Sequence, residues 1–353
     1  MKKIHFSGNT EVGKLRLNNE DNLIFRYIWD DKHVLGVVID GIGGEEGGEV
    51  AARIAKETIE AYLEKSFHGD RLRLLQWAVT EANNQIFKER QNQPDLSNMG
   101  CVLSACLVEV EKKRINMVHV GDTRLYQFYD GKLEKLSHDH SDVGYREDMG
   151  ILSEYEAMRH PRRYIINRLL GDKLHQADDE DFIEAKSFDL SRKPFYNIFM
   201  LCSDGLTDLV TRDEISGILS QSAELEQKIQ KLIDLANNKG GKDNITVVLI
   251  EYQSDEMDNI ENAENNPTTE PCSYSMNIHK NDRSKGGKRN LIITLMIIMA
   301  LLIGAVGGWY GNDKYRSTHK DTGTADTEIE AEIPENDPTV NDNVSDEEND
   351  ENN

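Results

Sequence analysis

The chain has 353 residues, enough for one large or two ordinary domains with an ample core, and a formal net charge of -23 at pH 7. Much of the acidity lies beyond Glu251, and an excess of that sign excludes a nucleic-acid binder. The cysteines Cys101, Cys106, Cys202 and Cys272 give neither a disulfide scaffold nor a paired zinc spacing, so a reducing compartment is expected. The two amino-terminal lysines precede no apolar secretory signal.

In chain order, a short strand at residues 4–6 and a glycine-containing turn at 8–13 lead to Arg16, Asn19, Glu20 and Asp21. Apolar stretches at 23–29 and 34–39 flank Asp30-Asp31-Lys32 and predict a hairpin that returns Asp21 to the neighbourhood of Asp40. Residues 35–39 form a continuous apolar run, which suits a strand covered on both faces and so delivers Asp40 to a fixed point. Gly41, Gly43 and Gly44 let a backbone carbonyl approach a ligand as closely as the carboxylate does. Helical apolar spacing follows over 49–65 and around 75–86, with Glu45 and Glu46 expected as first-turn helix charge.

Strands are then expected at 101–110, 115–120 and 125–128, with Asp130-Gly131 as a two-residue turn. Successive strands argue for antiparallel sheets. Residues 141–181 are polar, broken by Gly144, Gly150 and Pro161, and long enough to form a functional flap. Strands at 182–188, 196–202 and 245–252 enclose helices at 213–220 and 223–237, giving an α+β order with helices outside two central sheets.

Four aspartates sit where an apolar strand meets a polar turn: Asp40, Asp122, Asp204 and Asp243. Carboxylates gathered at one sheet end repel each other, and burying them without neutralisation costs several kcal/mol each, so a cation cluster is expected. Oxygen donors without thiolate or histidine suit Mg²⁺ or Mn²⁺. Asp130, Asp139, Asp208 and the run 178–181 read as turns and solvated loop charge.

Five strings carry a resemblance: Arg16-x-x-Asn19-Glu20-Asp21, Asp40-Gly41-Ile42-Gly43-Gly44, Gly121-Asp122-Thr123-Arg124, Ser203-Asp204-Gly205 and Lys242-Asp243-Asn244. In order and approximate spacing this resembles the metal-dependent serine/threonine phosphatases of the PPM or type 2C family, over residues 4–252. The segments at 136–141 and 160–171 resemble the flap of bacterial members. The resemblance implies two antiparallel sheets packed as a sandwich between α-helices, with two Mn²⁺ or Mg²⁺ ions and, in bacterial members, a third, weaker one. It implies that Asp40 bridges the ions, that the Gly41 carbonyl adds an oxygen and that Asp204 and Asp243 hold the first ion. Asp21, with Glu20, is implied to act through metal-bound water, Arg16 to clamp the phosphate, and Asp122 with Asp204 to hold the third ion. A metal-bridging water is the implied nucleophile toward phosphoserine or phosphothreonine. Read from its residues alone, Asp122 could instead bond the amides of its own turn. Ile42 stands where other members carry histidine or methionine, so no general acid is assigned, while Thr123 for serine and Met99-Gly100-Cys101-Val102 for a threonine-rich strand start are milder departures. The non-enzymatic alternatives are a silent metal-dependent adaptor and a membrane scaffold acting through its tail.

The domain is expected at 1–253, followed by a disordered linker at 254–290, a transmembrane helix at 291–310 and an acidic, disordered, extracytoplasmic tail at 311–353. The twenty residues from 291 to 310 carry no charge and end on Trp309 and Tyr310 as interfacial aromatics. Lys280, Arg283, Lys285, Lys288 and Arg289 precede that stretch, whereas Lys314, Arg316 and Lys320 follow it. The bias predicts a single-pass cell-membrane protein with a cytoplasmic catalytic domain. Phosphoproteins are the implied substrates, with a membrane serine/threonine kinase as a possible partner.

Overall fold

Hydrogen bonding along the chain builds two five-stranded sheets in which every pair is antiparallel. The structure is a computed structural model that describes residues 4–253, apart from 45, 46, 177, 178, 180 and 192–195. One sheet runs β1-β10-β9-β6-β7, formed by Ile4–Glu11, Ile245–Gln253, Tyr196–Cys202, Arg124–Tyr129 and Lys132–Lys135. The other runs β2-β3-β4-β5-β8, formed by Asn22–Tyr27, His33–Ile42, Gly100–Glu109, Arg114–Val120 and Glu184–Asp189.

The continuous apolar run is explained by β3, whose two faces are both covered. Leu35, Val37 and Ile39 pack with Ala51, Ala55 and Ile59 of α1 (Gly47–Lys65) and Leu75 and Ala78 of α2 (Arg71–Asn92). Val34 and Val38 point the other way, into a core shared with Phe199, Val248 and Ile250 of the second sheet. On that sheet's outer face lie α6 (Arg212–Leu219) and α7 (Leu225–Asn238), packed through Ile215, Ile229 and Leu232. The layers are helix, sheet, sheet, helix, as expected.

Local chemistry fixes the ends of these elements. The Asp70 carboxylate accepts from the Arg73 amide to cap α2, and Thr211 with Glu214 forms a capping box on α6. Asp130 and Gly131 both have positive φ, at 46° and 74°, as a tight β6-β7 turn requires. The flap contains α3 (Asp142–Asp148) and α4 (Glu154–Met158) and is stitched back by a bridge between Ser141 and Ile166.

Among the described residues no helix is long and apolar enough to cross a membrane. The stretches 254–290, 291–310 and 311–353, with Cys272, Glu45 and Glu46, lie outside the described residues. The other three cysteines are buried free thiols.

Candidate metal centre

β2 pairs with β3 so that Asn22 faces Ile39, which places Asp21 beside Asp40 at the same sheet end, as the hairpin predicted. β9 ends at Cys202, and the chain turns through Ser203 into the single-turn helix α5 (Asp204–Thr207). β10 begins just after Asp243 and Asn244. Gly121 turns β5 away at φ 105°, where a Cβ would stand 2.1 Å from Val102 Cγ1. That turn carries Asp122. Gly41 is a second enforced glycine: a Cβ there would lie 2.2 Å from the Gly48 carbonyl oxygen and 2.5 Å from that of Glu20.

Asp40, Asp122, Asp204 and Asp243 line one cavity of about 850 Å³, with Gly41 and Ile42 in its wall. Asp21 is buried beside it, and its Oδ2 accepts from Ser203 Oγ at 2.8 Å and Thr246 Oγ1 at 2.5 Å. Burial, then Asp21, Asp204, Asp122 and Asp243 together, hold the Asp40 carboxyl well above the usual range. Burial and then Asp122 and Asp208 do the same to Asp204. Burial pushes Asp21 and Asp122 each up to about 7, with Asp139 the next cause at Asp122. Among the described residues no ion pair reaches Asp21, Asp40, Asp122 or Asp204. A group of carboxylates that disfavours its own ionisation, with only oxygen donors at hand, fits hard divalent cations.

Arg16 projects from the loop of residues 12–18 with its side chain about half exposed, and its Nη2 donates to Asp243 Oδ2 at 2.8 Å. The Glu20 carboxylate is 4.0 Å away. Burial, outweighing the attraction of Arg16, raises the Glu20 pKa. Asn244, whose role no local sequence pattern reveals, locks this corner. Its Nδ2 donates to the Val12 and Asn18 carbonyls at 2.9 Å each, and its Oδ1 accepts from the Glu20 amide at 2.8 Å.

Two sequence expectations are corrected. Asp139 is not solvated loop charge: it is 7% exposed and lies between Arg124 Nη2 and Lys135 Nζ, each 2.7 Å from it. Burial would raise its pKa, yet those two cations hold it at about 2. Asp208 is half-buried and accepts from Arg163 Nε at 2.7 Å, tying the flap to the end of α5. Arg124 and Arg163 are distant in sequence from the acids they hold, so no local pattern announces those two pairs. Asp130 is an exposed turn residue, as expected.

A separate trio, His119, His140 and Glu184, brings one ligand-type atom each within 4.8 Å of the others. Its atoms are already engaged. His119 Nε2 donates to the Gly121 carbonyl at 2.9 Å, His119 Nδ1 meets Ser104 Oγ at 2.9 Å, and His140 Nδ1 accepts from the Gly121 amide at 3.1 Å. Glu184 accepts from the His138 amide and Lys186 Nζ. The two histidines therefore clamp the Gly121 turn behind Asp122, while Glu184 is held by His138 and Lys186.

The family profile described as Protein phosphatase 2C matches residues 15–246. The serine/threonine phosphatase stp of Listeria welshimeri is 33% identical over 255 residues, covering 70% of this chain and 96% of its own. The crystal structure of the Mycobacterium tuberculosis serine/threonine phosphatase PstP/Ppp is similar with a TM-score of 0.61 at 30% identity, over 71% of this chain and 99% of that one. The catalytic domain of PstP in complex with two manganese ions is similar with a TM-score of 0.60 at 29% identity, over 71% of this chain and 99% of that one.

Proposed function

Because this chain belongs to the protein phosphatase 2C family and is a serine/threonine phosphatase served by Mn²⁺ or Mg²⁺, we propose that the cavity over Asp40 is its catalytic site and that the protein works tethered to a membrane. The observation that carries the first part is the convergence of half-buried Asp40, Asp122 and Asp204 and buried Asp21, none of which forms an ion pair among the described residues.

Asp40, Asp204 and Asp243, with the Gly41 carbonyl, would hold two ions, and Asp122 with Asp204 a third. When bound, such ions acidify water at neutral pH and neutralise charge on a transferring phosphoryl group. The chain's own residues do the rest. Ser203 and Thr246 orient Asp21 by bonding a single oxygen, Oδ2, so the other oxygen is not used by these two hydroxyls. Arg16 presents a planar fork at the cavity rim, and its contact with Asp243 uses one arm. The remaining donors match two phosphate oxygens. Asn244 keeps that fork and Asp243 in one rigid frame. The net reaction adds water across the phosphorus–oxygen ester bond, releasing the serine or threonine hydroxyl and inorganic phosphate.

Hydrolysis of a phosphothreonine peptide should require added Mn²⁺ or Mg²⁺ and stop in excess EDTA. Undiminished turnover in the chelator would refute the site. A silent adaptor is the weaker reading, because every carboxylate of the constellation is in place.

Tethering rests on the uncharged stretch 291–310 and on five cationic residues before it against three after it. The catalytic domain then faces the cytoplasm, where phosphoproteins are its substrates and a membrane serine/threonine kinase is a fitting partner. Protease added to spheroplasts should trim only residues beyond 310. Digestion of the domain would reverse the orientation, and recovery of the whole chain in the soluble fraction would remove the tether.

A further inference from the structure

The loop that carries Arg16 is held at three points, yet it displays leucine to water on both sides of that arginine. The Lys14 and Leu15 amides donate to the Gly241 carbonyl at 2.7 and 3.2 Å, and Asn244 bonds the carbonyls of Val12 and Asn18. A loop anchored in this way is not displaying its side chains through disorder. Leu15 is nevertheless 69% exposed and Leu17 97% exposed. Leucines on a fixed loop could have been polar at no cost to the fold, so their exposure asks for an occupant.

The flap supplies a second apolar group from a separate segment of chain. Tyr164 is 56% exposed, with the Arg163 guanidinium 3.7 Å from its ring centroid, and Arg163 is itself fixed by Asp208. The Asn167 amide donates to the His140 carbonyl at 2.7 Å and Ile166 is bridged to Ser141, so the chain just after Tyr164 is also anchored. Leu15, Leu17 and Tyr164 line the same cavity whose wall holds Asp40 and Asp204. Tyr164 and Arg16 also line an adjoining cavity of about 300 Å³ with Leu209 and Lys242. Anything that places a phosphate on Arg16 must therefore lay its neighbouring atoms on this rim.

We propose that Leu15, Leu17 and Tyr164 are specificity determinants that grip apolar or aromatic side chains flanking the phosphorylated residue of an extended phosphopeptide. This rests on the phosphatase reading of the same cavity. Continuity with the carboxylate floor selects the peptide as occupant, since phosphate and flanking residues arrive as one covalent segment.

The test uses the full-length chain with Mn²⁺ and three phosphothreonine peptides that differ only at the two residues on either side: leucine or phenylalanine, glycine, and glutamate. The wild type should favour the apolar peptide over the glycine peptide by about tenfold in kcat/KM, the discrimination that one or two apolar contacts supply. Leu17→Ser combined with Tyr164→Ser should abolish that preference while leaving the glycine peptide within about twofold of the wild type. Equal rates on the apolar and glycine peptides in the wild type would overturn the proposal, and so would a preference that survives the double variant. If the wild type hydrolyses none of the three, the phosphatase reading itself fails. A dimer in light scattering that the double variant dissociates, with peptide preference unchanged, would assign the rim to a second copy of the chain and overturn the proposal.

Discussion

Two groups of acids, Asp139 with Glu147 and half-buried Asp122 with Asp204, line one small cavity of about 30 Å³, and they differ in what faces them. Asp139 and Glu147 meet Arg124, with Lys135 bridging Asp139 to Asp148 and Arg212 reaching Glu147. Asp122 and Asp204 meet other carboxylates. In the first group the cations win over burial, and Asp139 is held at about 2. In the second, burial and mutual repulsion win, and Asp122 sits at about 7. Acidity alone therefore does not mark a metal centre; acidity without internal cations does.

The sharpest way to break this contrast is to neutralise one acid from each group. Asp204→Asn should lower kcat/KM by roughly a thousandfold and weaken Mn²⁺ binding in calorimetry. Asp139→Asn should keep Mn²⁺ binding while destabilising the fold by about 1.5–3 kcal/mol in urea, because buried Arg124 keeps Glu147 but loses the carboxylate that takes two of its nitrogens. Normal Mn²⁺ affinity in Asp204→Asn, or its loss in a folded Asp139→Asn, would erase the distinction.

Arg16→Ala tests the boundary between the two kinds of charge, because Arg16 is the cation that does touch a carboxylate of the well. Its KM for a phosphopeptide should rise by about tenfold or more with a smaller change in kcat. An unchanged KM would make Arg16 only a counter-ion for Asp243.

A smaller effect concerns pH. In the well the folded pKa values are raised, so the folded chain binds more protons than the unfolded one between the ordinary carboxylate value and about 7. Without metal, that contribution to stability is present at low pH and lost as pH rises through this window. Ions compete with those protons, so the gain in melting temperature on adding Mn²⁺ should be larger at about pH 7.5 than at about pH 5.5. Equal gains at both would show that the raised carboxylates are not the ions' ligands. The paired group behaves in reverse: the contribution of Asp139 is present above the ordinary carboxylate value and lost as pH falls from there toward about 2.

The legible part of this molecule was the part written locally. The run into Asp40 announced a strand covered on both faces, and Asp130-Gly131 announced a turn that the positive φ values bear out. The extension of β1 to Glu11 was not announced, because Gly8 and Asn9 have no strand propensity and are held by pairing with Val248 and Val247. The helix α5 was missed because four residues show no periodicity. Asp139 looks like solvated loop charge in the sequence because Arg124, which binds both its oxygens, stands fifteen positions earlier, across the β6-β7 hairpin. At the site, the strand-end aspartates were visible, but the service of Asn244, Ser203 and Thr246 depends on contacts spanning most of the domain.

The pairing of β1 with β10 reaches from Ile4↔Tyr252 to Glu11↔Ile245, joining the first described strand to the last. A nascent chain therefore cannot complete this sheet, or bring Asp243 to Arg16, until the codons for β10 have been translated and that strand has left the ribosome. Closing a loop of this length is also a slow step in folding. Activity thus arrives in one late event rather than in stages, and a product truncated before Asp243 lacks both an acidic residue of the well and the strand that seats β1.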